Sequence, residues 1–223
     1  MEVIYKDRIF YKMRILVLFS GTRSFSKIIK PTDSVVNLDF SPVFKPDIET
    51  DLMIWDYQKY FEENGFPDFI QASPPCTQFS ILMRATLENN PDTGLLNKTL
   101  EIINYVLTNN SNLKWAIENP VGLMRKQDCM KDFKMITTGY CMYGFPYKKS
   151  TDIWTNYELV LRKCCHKRHK VVIKYKPDED GFNEVDWRYF SKLNKIYGTR
   201  MTKQEYRYRI PQALCYEILE QSR

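Results

Sequence analysis

Short apolar runs recur along the first half of the chain, each followed by polar or glycine residues. Residues 14–19 read as a first, fully buried strand, 35–38 as a second, 46–52 as a short third segment, 68–72 as a fourth and 113–117 as a fifth. Between them fall helix-like stretches: 24–30, closed off by Pro31; 57–64, stopped by Gly65; and one running from an Asp92 or Thr93 cap to Asn109-Asn110. In that last stretch Leu96, Leu100, Ile103 and Leu107 repeat at the spacing of one helical face. Buried strands alternating with helices leave few architectures open, and the expectation is α/β, with a mostly parallel sheet. Beyond Tyr140 the alternation weakens, and residues 156–205 are rich in Lys, Arg and Tyr, with a turn at 177–181. That shift predicts a smaller, irregular region grafted onto the sheet. Residues 210–221 then read as a C-terminal helix with Pro211 in its first turn.

In an open α/β sheet, ligands bind in the crevice beyond the carboxyl ends of the strands. Each expected strand delivers a candidate there: Ser20-Gly21, Asp39, Asp51, Cys76, and Glu118-Asn119-Pro120. Gly21 lets the backbone approach a ligand closely, and Asp39 follows it by 18 residues, near the spacing of a ribose-binding acid. Taken alone, the Ser20-Gly21-Thr22 turn also fits an ordinary tight loop. Cys76 is the most distinctive of the set. Pro74 and Pro75 restrict the backbone before it, so the thiol is presented on a preset loop, as a nucleophile needs to be. A cysteine of this kind is otherwise a small buried hydrophobe.

At 223 residues the chain is long enough for one domain with a substantial core. It has no run of 18 apolar residues, so no membrane span is expected. The stretch Met1 to Arg8 is charged too often for a signal peptide. Six cysteines without a secretion signal point to reduced thiols in a cytosol-like compartment, cytoplasmic or nuclear (or nucleoid), and not secreted. The net charge of +6 permits a nucleic-acid partner without demanding one.

Phe19-Ser20-Gly21-Thr22, Asp39, Asp51, Pro74-Pro75-Cys76, Glu118-Asn119-Pro120 and Tyr143-Gly144-Phe145-Pro146 fall in one characteristic order. In that order the chain resembles the cytosine-5 DNA methyltransferases, and Arg209 to Leu214 looks like a reduced form of that family's last motif. Ser20 to Ser24, Tyr140 to Gly144 and Ser150 to Asn156 resemble more narrowly a compact branch found in phages and large DNA viruses. The resemblance implies a Rossmann-like S-adenosylmethionine-dependent methyltransferase sheet, mostly parallel with one reversed strand. It divides the chain into a catalytic and cofactor-binding core (1–156), a reduced target-recognition region (157–206) and a C-terminal helix returning to the core (207–223).

The resemblance also implies roles. Cys76 would add to C6 of a flipped-out cytosine, and Glu118 would hydrogen-bond the base's N3 and exocyclic amine. Phe19, Gly21, Thr22 and Pro74 would line the methionine end of the cofactor, Asp39 its ribose, and Asp51 with Leu52 its adenine. Ser80, Lys148, Lys149, Arg162 and Arg168 are the expected nucleic-acid contacts of a monomeric enzyme acting on DNA. The same chemistry on RNA, and a catalytically idle nucleic-acid-binding protein that keeps the fold, are the alternatives.

Several positions depart from the family pattern. Val17 stands for an aspartate, Arg23 for a second glycine, and Thr77 for the glutamine after the nucleophile. Lys148 and Lys149 occupy a stretch where arginine forks are expected, which keeps charge but loses bidentate geometry. Finally, Cys164, Cys165, His166 and His169 gather both histidines of the chain and two of its cysteines. They are candidate ligands of one structural zinc, with Cys141 able to close the set. The same loop reads equally well as a basic segment touching phosphate.

Overall fold

A computed structural model describes residues 12–80, 91–145, 149–164, 176–177, 183–184 and 208–223. Seven strands form one sheet in the order β3-β2-β1-β4-β5-β7-β6. They are β1 (Arg14–Leu18), β2 (Ser34–Asp39), β3 (Ile48–Glu49), β4 (Phe69–Ala72), β5 (Lys114–Pro120), β6 (Lys134–Gly139) and β7 (Ser150–Thr155). The first five run parallel, and β7 is antiparallel to both β5 and β6. One reversed strand is therefore present, as the resemblance implied. Two short strands, β8 (Lys176–Pro177) and β9 (Asn183–Glu184), pair separately.

At its centre the sheet is buried on both faces, which is why β1, β4 and most of β5 are apolar. Successive residues of a strand point to opposite sides, so Ile15 and Val17 enter one core while Leu16 and Leu18 enter the other. The second core is closed by α1 (Tyr57–Asn64) and α2 (Gly94–Asn109) through Tyr57, Phe61, Leu96, Ile103 and Val106. The first is closed by α3 (Gln212–Glu220) through Leu214, Cys215, Ile218 and Leu219.

Three expectations need correction. The stretch 24–30 is not a helix but a 3₁₀ turn over Phe25–Lys27. Ile28 and Ile29 are β-branched and Pro31 bars Lys30 from the helical region, so there is too little chain to extend it. On α2 the buried stripe is Leu96, Thr99, Ile102, Ile103 and Val106, with Leu100 and Leu107 only at its margin. Thr99 is tolerated inside because its hydroxyl donates to the Leu95 carbonyl at 2.8 Å. The fifth strand runs on to Pro120, so Glu118 and Asn119 are strand residues rather than the loop beyond.

Strand order reverses at β1, whose neighbours β2 and β4 leave in opposite directions. That is the switch point at which open α/β sheets form their crevice. The loops after β1, β2, β4 and β5 all open there.

Candidate active site

The loop after β1 is wound tightly. Phe19, Gly21 and Arg23 all have positive φ, at 56°, 47° and 56°. Glycine takes such a conformation without cost, whereas a residue with a Cβ loses about 1–2 kcal/mol. Arg23 stands where the resembled family has glycine, and its side chain offsets the strain. Its guanidinium donates to the Lys45 carbonyl at 2.7 Å and to the Asp47 carboxylate at 3.0 Å. Asp47 also accepts from the backbone and side chain of Asn37. Burial works against its charge, but these Asn37 and Arg23 contacts hold its carboxyl below the usual range.

The same loop turns the Gly21 N–H onto Asp39 Oδ2 at 2.8 Å, and Ser41 N–H binds Asp39 Oδ1 at 2.9 Å. Each oxygen of Asp39 thus holds one backbone donor and retains a lone pair for another. Thr22 and Ser24 share a hydroxyl bond at 3.1 Å. Leu52 is buried, and Asp51 caps its own turn by accepting from Met53 N–H. Ser20 Oγ, Gln71 Oε1 and Asn119 Oδ1 are buried with no protein partner among the described residues. Stranded polar atoms are costly, and these three lie at the carboxyl ends of β1, β4 and β5, where a ligand would meet them.

Cys76 lies on the loop that leaves β4, and Glu118 is 4% exposed on the neighbouring β5. Two bonds tie the loop to β5 and to the turn that follows it. Asn119 Nδ2 donates to the Pro74 carbonyl at 2.8 Å, and Leu123 N–H to the Phe79 carbonyl at 2.7 Å. The second contact needs Gly122, because a Cβ there would stand 2.1 Å from the Phe79 oxygen. Burial pushes the Cys76 thiol above its ordinary pKa; the charge of Lys149 opposes that shift and the charge of Glu118 adds to it. The crevice thus joins a thiol, a buried carboxyl and a cation.

Glu118 has two partners that sequence reasoning did not single out. The Tyr140 hydroxyl donates to its Oε1 at 2.9 Å, and Thr151 Oγ1 lies 2.5 Å from the same oxygen. Lys149 Nζ sits 4.7 Å from the centre of the Tyr140 ring. Below them, Asp152 is 0% exposed and takes a two-pronged bond from Arg125 (2.6 and 2.9 Å) and another from Thr137 (2.6 Å). No local pattern marks these partners, since Tyr140, Thr137 and Arg125 meet β5 and β7 only in the folded sheet.

The other expected site residues are placed as follows. Arg162 packs on the Tyr143 ring and pairs with Glu217 of α3 at 2.6 Å. Ser80 ends the Cys76 loop, half-buried. Cys164 Sγ lies 3.7 Å from Cys141 Sγ, and among the described residues no three metal-ligating side chains gather. Lys148, Cys165, His166, Arg168 and His169 fall outside the described residues.

Over 225 residues the chain is 29% identical to the probable DNA (cytosine-5)-methyltransferase of Frog virus 3 (isolate Goorha), a match spanning 93% of this chain and 99% of the viral one. Over nearly its whole length the chain is thus similar to a protein named as a cytosine-5 DNA methyltransferase. Among solved structures, the Entamoeba histolytica methyltransferase EhMeth matches with a TM-score of 0.61 over 95% of this chain and 98% of its own, at 12% identity. At that identity the likeness establishes the methyltransferase fold. No protein-family model matches the chain. Among the described residues, no helix is long and apolar enough to cross a membrane. The Cys76 loop and the Glu118-Asn119-Pro120 segment are presented by adjacent parallel strands, β4 and β5.

Proposed function

We infer that the chain transfers a methyl group from S-adenosylmethionine to C5 of cytosine in DNA, through a covalent bond between Cys76 and C6 of a flipped-out base. The observation that carries this reading is the pairing of the Cys76 loop with buried Glu118 across the Asn119–Pro74 bond. The name of the viral relative favours DNA as the substrate.

The residues present suit the cofactor. Asp39 keeps an acceptor on each oxygen for ribose hydroxyls, Ser20 Oγ is buried without a protein partner among the described residues, and Gly21 allows close approach. Phe19, Thr22 and Pro74 would border its methionine end, and Asp51 with Leu52 its adenine. When bound, S-adenosylmethionine supplies an electrophilic methyl group. The protein's task is to make C5 nucleophilic. Addition of the Cys76 thiolate to C6 places electron density on C5, while a proton held between Glu118 and the ring nitrogen N3 balances the charge. After methylation the C5 proton leaves to base, and the C6–sulfur bond breaks to release thiolate and product. Reading of the target is assigned to residues 157–206, with Ser80, Lys148, Lys149 and Arg168 along the nucleic-acid backbone.

Trapping tests the chemistry and the substrate together. A fluorine at C5 cannot leave as the proton does, so DNA containing 5-fluorocytosine should form a denaturation-resistant complex with the protein that depends on the cofactor. RNA of the same sequence should not. Trapping on RNA alone would reassign the substrate, and trapping on neither would remove the covalent mechanism.

A structural zinc forms a separate part of the proposal. Two thiolates on one tetrahedral zinc stand about 3.8 Å apart, given bonds of about 2.3 Å, and Cys141 and Cys164 already sit at 3.7 Å. Elemental analysis of the purified protein should find about one zinc per chain, falling sharply in Cys164→Ser. Less than about a tenth of an equivalent in the wild type would leave the basic, phosphate-contacting loop as the better reading.

A further inference from the structure

The Thr151 hydroxyl carries one hydrogen and has two acceptors within reach. Glu118 Oε1 is 2.5 Å from Thr151 Oγ1, and the Asn119 carbonyl is 3.0 Å away. With Glu118 ionised, the hydrogen goes to Oε1 and the Asn119 carbonyl goes without it. With Glu118 protonated on Oε1, the carboxyl O–H can donate to Thr151 Oγ1 instead, and Thr151 can then donate to the Asn119 carbonyl. Every hydrogen is used in that second arrangement. Tyr140 donates to Oε1 in either state, and among the described residues no hydrogen bond reaches Oε2.

We propose that Thr151 is a positioning residue that changes hydrogen-bond partner as Glu118 gains or loses its proton, so that the buried carboxyl can hold either state without stranding a donor. The inference rests on the reading of Glu118 as the group that shares a proton with the base, and it adds how that proton is accommodated. Thr151 and Glu118 are buried, and an unmatched proton there would be expensive. The exchange needs only rotation of one hydroxyl. It moves no backbone, because the Asn119 carbonyl belongs to β5 and Thr151 to its neighbour β7.

Other charged or titratable groups surround the pair. Cys76 faces it from the loop after β4, Cys215 from α3, and Tyr140 from the turn after β6. Lys149 acts on Cys76 and lies over the Tyr140 ring, while Lys27 and Arg209 act on Cys215.

Infrared difference spectroscopy against pH reads the proposal without requiring turnover. The protonated Glu118 carboxyl band is identified by its disappearance in Glu118→Gln. In Thr151→Val the acid loses its acceptor, so the band should move to higher wavenumber. Thr151→Ser should restore the wild-type position, and Thr151→Ala serves in place of valine if the branched variant does not fold. A band in Thr151→Val or Thr151→Ala that matches wild type in position would overturn the proposal. So would a serine variant that behaves like valine. Should the protein transfer no methyl group at all, the infrared result still stands, so the two readings fail separately.

Discussion

Cys76→Ser is expected to lower methyl transfer by roughly a thousandfold or more, while cofactor binding stays within about twofold of wild type. The reason is the attacking atom. A serine hydroxyl is far less acidic than a thiol, and among the described residues the charged groups acting on position 76 are a cation and a buried carboxyl. Radiolabelled methyl transfer to DNA, beside calorimetric titration with a cofactor analogue, checks both halves. Turnover within a few-fold of wild type would falsify the nucleophile assignment. The thiol's setting also fixes its pH response. Burial holds Cys76 above its ordinary pKa, so its alkylation should keep accelerating with pH well past neutrality. Lys149 favours the thiolate, so Lys149→Ala should push that rise to still higher pH, and Lys149→Arg should largely preserve it.

The second large effect concerns stability. Arg125→Ala removes the cation from Asp152, a fully buried carboxylate on the strand between β5 and β6. Thr137 would remain its one hydrogen-bond donor among the described residues. Breaking a buried pair by deleting one partner costs about 3–5 kcal/mol. The Arg125 side chain is 34% exposed, so solvent screens one side of the pair and the lower end, about 3 kcal/mol, applies. For a chain of this length that corresponds to a fall in melting temperature of about 6–12 °C. The double variant Arg125→Met with Asp152→Leu removes both charges and should recover most of the loss. Thermal unfolding followed by circular dichroism measures both. A fall below about 2 °C in the single variant would show that Arg125 contributes little to holding Asp152.

The first five strands were legible because burial on both faces leaves an apolar signature that needs no partner to be seen. The last two were not. In β6, Lys134, Met135 and Thr137 face outward at the sheet edge, and β7 spends Thr151 and Asp152 on buried hydrogen bonds. Neither strand therefore reads as an apolar run. The candidate site divides along the same line. Cys76, Glu118, Gly21 and Asp39 stood out because each follows or ends a strand in a recognisable local setting. Tyr140 and Thr151 did not, since their roles exist only once β7 lies antiparallel beside β5. Arg23 marks an intermediate case. The sequence shows a departure from glycine, but only the backbone angle shows that the left-handed turn was kept and braced by Asp47.

The closing of the first core by α3 has a consequence for synthesis. Ile15, Val17 and Phe69 sit in strands that can pair early, yet the face they present is covered by Leu214, Ile218 and Leu219, made some 150–200 residues later. The Ile210 N–H binds Ser24 Oγ, Lys30 pairs with Glu220, and Arg223 pairs with Asp33, so the same late segment also braces the connection from β1 to β2. A ribosome-bound chain would carry an open apolar face for most of its translation. Contacts so distant in sequence form slowly, and exposed strands invite aggregation meanwhile. Yield in the cell should therefore depend on chaperone capacity during elongation more than on the stability of the finished fold.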